Sequence, residues 1–322
     1  MKPTIIVFLF LIMTACERQQ ELCFNHEQHD RIPIDVVFDW GLVPDADPIS
    51  MSLYLFPDNG SVSSLYEFSG RNGGRILVPP GRYTALAINS DTQGTKVHNS
   101  DFLETFELRL TDAYDIQGLN VRSDVLPRAP GTETERMVNS PDAIWRAKVD
   151  CIEVKPSIVT QTLTLTMSEA VFHYSAEIRN VENLSGVQSL SASISGMTGS
   201  MFIADGSVSD EMVTIPFEMT ASDKTTLRGE WISFGHCGHS RSRSEQPKTS
   251  GHHLLTVYAV LRDGTQWYHS YDITDRLHEL PDNESLVTID EGLHLPEASS
   301  TAAGGFNITI DDWQTIPIDI PM

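Results

Sequence analysis

The chain has 322 residues, of which 40% are hydrophobic and 20% charged, enough apolar material for a real core and for about two domains. Its formal net charge of −22 argues against a nucleic-acid partner, which needs a basic face to neutralise phosphates. The same charge argues against attachment to anionic lipid by electrostatics alone.

Met1-Lys2 supplies a short positive start, and residues 5–13 (IIVFLFLIM) form an unbroken apolar run of nine. At about 1.5 Å of helical rise per residue, such a run cannot cross a hydrocarbon core ~30 Å thick. It reads as the apolar centre of a signal peptide. No later segment approaches the about 18 consecutive apolar residues of a membrane-spanning helix. The stretch Leu11-Ile12-Met13-Thr14-Ala15-Cys16 resembles a bacterial lipobox, with Met13 where leucine is commonest. The resemblance implies that residues 1–15 are a lipoprotein signal peptide, and that acylated Cys16 holds the mature chain in outer-membrane lipid. Two or three acyl chains, at ~0.8 kcal/mol per buried CH₂, make a stable anchor where one does not. The other cysteines, Cys23, Cys151 and Cys237, are odd in number and widely spaced. That argues against a disulfide framework and leaves one bridge among them open.

Residues 16–31 are polar and aperiodic, a tether. From Ile32 the apolar period becomes two: Ile32, Ile34, Val36, Phe38 and Trp40 share one face. Ile49, Met51, Leu53 and Leu55 repeat the pattern before the turn Pro57-Asp58-Asn59-Gly60. Residues 126–141 hold three prolines in a polar cluster and are expected as an exposed linker at or just before a domain junction. A second strand series follows, including Leu163, Leu165 and Met167, then Val213, Ile215, Phe217 and Met219. Asp263-Gly264 between two alternating runs predicts a hairpin. Residues 274–280 predict one short helix capped by Thr274. The whole predicts an all-β protein of two β-sandwich domains in tandem, over 32–145 and 146–322, with little helix.

Several segments, in order, carry a family resemblance: the lipobox; IPIDVVFDW and ISMSLYLFPDNG; GGRILVPPGRYTALAIN; FHYSAEIRNVENLSGVQSLSASISGMTGS; HHLLTVYAVLRDGTQWYHSYDITDRLH; and the tail GGFNITIDDWQTIPIDI. Together they resemble the Bacteroidetes outer-membrane lipoproteins grouped with the fimbrillins and fimbrial anchor subunits. The resemblance implies transthyretin-like β-sandwich domains and a surface lipoprotein. It also implies a structural or adhesive role in a fimbria, with no catalytic residues to transfer.

The residues themselves carry little catalytic signal. GxGxxG, GxxxxGK, HExxH and GxSxG are all missing. His26-Glu27-Gln28-His29 is one residue short of a zincin motif, and Ser193-Ile194-Ser195-Gly196, expected at a strand end, lacks the first glycine of a nucleophile elbow. No enzyme activity and no cofactor are expected. The one metal-like grouping is His236, Cys237, His239, His252 and His253. Its spacing is neither CxxC nor HxxxH, so solvated or hydrogen-bonded histidines are expected there and no metal site. Arg241, Arg243 and Lys248 have no interleaved aromatics and do not suggest nucleic acid. Trp40 and Trp267 follow the apolar phase of their strands, whereas Trp313 is placed for an edge. An exposed row of tryptophans would instead favour a glycan- or peptide-binding lipoprotein in nutrient capture. The tail, with Phe306, Ile308, Ile310, Ile316, Ile318 and Ile320, either completes its own domain or pairs with a fimbrial subunit. Pro317 and Pro321 suit an edge strand.

Mass spectrometry of the mature protein is expected to find Cys16 as an acylated N-terminus. A chain that starts at Met1, or an unmodified Cys16, would refute the anchor.

Overall fold

The computed structural model describes residues 31–116, 118–119, 121–236, 252–280 and 285–297. Cys16, Cys23, Cys237, His239, Trp313 and the tail 306–320 lie outside the described residues. The first strands are β1 (Ile32–Asp39), β2 (Ser50–Pro57), β3 (Ser64–Ser69), β4 (Gly74–Val78), β5 (Gly81–Asn89), β6 (Thr95–His98) and β7 (Glu107–Leu110). Short pairings β8 (Asp115–Ile116), β9 (Val121–Arg122) and β10 (Arg136–Met137) precede β11 (Trp145–Val154), β12 (Gln161–Thr166) and β13 (Ser168–Glu169). Then come β14 (Phe172–Ile178), β15 (Val181–Glu182), β16 (Val187–Thr198), β17 (Ser200–Phe202), β18 (Met212–Ala221) and β19 (Leu227–Ser233). The chain continues through β20 (Leu254–Leu261), β21 (Gln266–Asp272), helix α1 (Thr274–His278), β22 (Leu286–Ile289) and β23 (Leu293–His294). The protein is all-β, as its alternating segments predict.

The first core lies between a three-stranded sheet, β12-β1-β4, and a five-stranded antiparallel sheet, β13-β11-β5-β2-β3. β1 buries Ile32, Ile34, Val36 and Phe38 while its alternate residues face outward, the pattern of a strand wet on one side. β2 behaves differently, because it is buried from Met51 to Phe56. Met51, Leu53 and Leu55 enter the first core, whereas Tyr54 and Phe56 point the other way into a second. β5 repeats this, with Ala85 and Ala87 on one side and Leu86 and Ile88 on the other. The middle of the five-stranded sheet, β2 and β5 from Ala85 to Asn89, is therefore an interior layer, whereas β3 and β11 keep exposed residues. Ile49 does not share the face expected for it: it precedes β2 and is 79% exposed.

The second core is covered by the larger sheet, in the order β21-β20-β16-β18-β19-β14-β22, with β10 paired to β18. Phe106, Leu108 and Leu110, on and just before β7, join this core. At its edge Glu177 is buried between Arg179 (2.6 Å) and Arg228 (2.6 Å), and these guanidiniums hold its carboxyl below the usual glutamate range.

Two expectations need correction. The boundary at 145/146 falls ahead of strands that belong to the first core: β11 pairs with β5, and β12 runs parallel to β1. Met167 is the last residue of the first core, and from Ala170 onward the chain's contributions go to the second, which Tyr54, Leu86 and Phe106 have already entered. Residues 126–141 are also not an exposed linker. Leu126 and Met137 pack with Ala113, Ile116, Leu119 and Tyr258 in a third cluster, and Arg136 reaches Glu211 at 2.8 Å. The prolines and polar residues serve turns that fold this segment against the larger sheet. The short helix occurs where expected, but the side-chain acceptor at its start is Asp272, whose Oδ1 receives the Thr274 N–H at 3.0 Å.

Leu53→Ala and Leu86→Ala, on opposite faces of the shared layer, are each expected to cost about 2–5 kcal/mol. Both should shift one common urea transition, followed by far-ultraviolet circular dichroism. Two separately moving transitions would show that the cores are uncoupled.

Candidate functional site

The most concentrated chemistry among the described residues starts at an irregularity in β16. Its register against β18 slips between Ile194 and Met197, a bulge at Ser195-Gly196. Ser193-Ile194-Ser195-Gly196 thus lies inside a long strand and not at a strand end. Gly196 has φ +73°, and a Cβ there would lie 2.7 Å from both the His252 carbonyl oxygen and His253 Nδ1, so only glycine fits. Glu135, from the segment before β10, braces the bulge. Its Oε2 accepts from Thr214 Oγ1 (2.8 Å) and from the Gly196 N–H (3.2 Å), and burial pushes its carboxyl pKa up.

The bulge seats His253, which is fully buried just before β20. His253 Nδ1 lies 3.2 Å from the Ser195 carbonyl oxygen, and the next residue's N–H donates to Ser195 Oγ at 3.0 Å. On the other side the His253 N–H donates to Thr274 Oγ1 (2.9 Å), and the Ile273 N–H donates to the His253 carbonyl (2.9 Å). A carbonyl can only accept, so Nδ1 carries the proton and Nε2 presents its lone pair. That lone pair faces His278 Nε2, 3.0 Å away on α1. His236, buried beyond the end of β19 and bridged to Met197, is the third ring. The three ring centroids are 4.9–5.0 Å apart, and one potential ligand nitrogen from each residue falls within 4.8 Å of the others. Burial pushes the His253 pKa down to about 4, so its ring is neutral near pH 7.

The sequence grouping is therefore half right. It joins His236 and His253 but includes His252, whose side chain is exposed and 3.8 Å from Asp272. Cys237 and His239 lie outside the described residues. It misses His278, which sits 25 positions after its partner and reaches it through α1. No motif spacing encodes that approach.

Other surfaces offer less. Two adjoining grooves of about 650 and 630 Å³ share Ser140, Asp142 and Glu230. Two of their charged groups are engaged in structure: Asp142 accepts from the Gln93 and Gly94 N–H groups (2.6 and 2.9 Å), and Arg228 is committed to Glu177. His173 is held by Glu169 at 2.8 Å. The tryptophans do not form a platform among the described residues. Trp40 packs edge-on against half-buried Trp145, Trp231 stacks on Phe217 and Tyr174, and Trp267 is buried. Cys151, at the irregularity in β11, is exposed with φ 58° and forms no disulfide among the described residues.

A family model described as a domain of unknown function, DUF5119, matches residues 15–218. The chain belongs to this family. The DUF5119 match starts one residue before Cys16 and ends inside β18, so the three histidines lie beyond it. Over 97% of its length the chain is 23% identical to a Bacteroides ovatus protein named "Putative fimbrium anchoring subunit Fim4B", 90% of which is covered. Its fold is shared with the crystal structure of a "putative adhesin" from Bacteroides ovatus, at 21% identity and a TM-score of 0.65, covering 84% of this chain and 94% of that one. The fimbrial anchor protein Mfa2 from Porphyromonas gingivalis overlaps less closely, at 13% identity and a TM-score of 0.47, covering 80% and 89%.

Gly196→Ala is expected to destabilise the protein by about 1–3 kcal/mol, because it forces a side chain into left-handed backbone against the His253 ring. Thermal melting measures the loss, and imidazole ¹⁵N shifts measure whether His253 keeps its Nδ1–H form. An unchanged melting temperature would contradict the close packing at the bulge.

Proposed function

We propose that this protein is a non-enzymatic subunit that anchors or supports a fimbria at the outer membrane, held there by acyl chains on Cys16. The observation that carries the reading is the end-to-end similarity to the fimbrium-anchoring relative, 97% of this chain against 90% of that one. A relative sharing one module would not align over both cores. The apolar run 5–13 followed by Thr14-Ala15-Cys16 supports lipid attachment. In the same reading the tail 306–320 contributes strand pairing to a fimbrial subunit, where backbone bonds give affinity and alternate side chains fill pockets.

An anchor has a specific failure: fibres assemble but leave the cell. In the native bacterium Cys16→Ser is expected to move fimbrial polymer from cells into the medium. Cross-linking from wild-type membranes should recover a fimbrial subunit. Retention of fibres by the variant, or recovery of a nutrient transporter in place of a fimbrial subunit, would overturn the proposal. Deleting residues 315–322 separates the tail's two roles. Loss of the cross-linked partner with an unchanged melting transition supports pairing, whereas a collapsed transition makes the segment part of its own domain.

A further inference from the structure

We propose that His236, His253 and His278 are the ligands of a divalent transition-metal ion, with zinc the best match, which pins the end of β19, the entry to β20 and helix α1 together. The inference is independent of the fimbrial reading. It rests on the convergence of three imidazoles from separate parts of the chain, two of them buried, with ligand nitrogens within 4.8 Å of one another. Neutral imidazole suits zinc, copper and nickel, and zinc accepts three protein nitrogens with a fourth position left to water. Nitrogens bound at ~2.0–2.1 Å in a tetrahedron lie ~3.3 Å apart. His253 and His278 already approach to 3.0 Å, and His236 offers a ring nitrogen within 4.8 Å of both.

The surroundings match what a ligating histidine needs. A metal-bound ring usually donates its other N–H to a carbonyl or carboxylate, which fixes the tautomer and aims the lone pair. Here the Ser195 carbonyl does so for His253, on a bulge that Gly196 makes possible and Glu135 braces. Asp272, which accepts from Thr274 at the start of α1, places a carboxylate within electrostatic reach of His253. A bare hydrogen bond from His278 to His253 would account for one pair of nitrogens. A shared ion uses all three rings.

The test is a zinc titration of the full mature chain after chelator treatment, read by calorimetry, by metal analysis after desalting and by melting. Expected are one ion per chain and a melting temperature several degrees higher when saturated. His278→Ala, at a half-buried helix position, should weaken binding by about tenfold or more, and so should His253→Ala. His294→Ala, an exposed histidine bonded to Glu182 at 2.6 Å, should bind as the unaltered protein does. If the substituted chains fail to fold, cobalt added to the unaltered protein decides: intense visible bands of a tetrahedral nitrogen site support the proposal, and the spectrum of hydrated cobalt overturns it. Absence of zinc binding, unchanged affinity in a folded His278→Ala chain, or equal loss in His294→Ala would also overturn it.

Discussion

The structure depends on two neighbouring strands, β2 and β5, whose central residues meet protein on both faces. An antiparallel sheet usually packs one side and exposes the other, so its strands alternate apolar with polar. In β2 and β5 the two faces serve two cores, and polar residues between Met51 and Phe56 are reduced to the buried Ser52. Substitutions in this layer therefore leave little room for relaxation toward solvent. The same layer ties β11, which enters from the middle of the chain, to strands from its beginning. Division of the chain into consecutive independent halves does not describe such an arrangement.

This also explains what could be read from residues alone. The period of two in β1 identifies its buried face, because one face meets water and the contrast is local. In β2 the contrast is missing on both faces, and no strand's own pattern says which layer will cover its second side. Ile49 fits the apolar phase yet lies outside the strand, since phase alone does not mark where pairing starts. Residues 126–141 carry the composition of a linker, but their few apolar members find partners far away in sequence, such as Tyr258. Among the histidines, proximity in sequence suggested His252 as readily as His253. The bulge at Ser195-Gly196 decides between them, and the short helix supplies His278.

The bulge connects regions that look unrelated in the sequence. Glu135 holds it from the segment before β10, Ser195 passes its position to His253, and Thr274 ties His253 to the start of α1. Each contact satisfies a polar group removed from water, so the set is expensive to break at a single point. A short helix with little intrinsic stability is thereby fixed to the large sheet by side-chain and backbone bonds together.

If the chain is held at its N-terminal side, as the proposed anchor requires, the placement of β1 has a mechanical meaning. The first described strand is not an edge: it pairs with β12 over Ile34 to Asp39 on one side and with β4 over Ile32 to Val36 on the other. Ladder hydrogen bonds lie across the strand direction. A force drawn through the leading residues along β1 therefore loads two ladders in shear, with many bonds sharing it at once. An edge strand pulled sideways would instead open one bond after another. The fold thus receives a pull from its N-terminal side where its backbone is braced on both flanks.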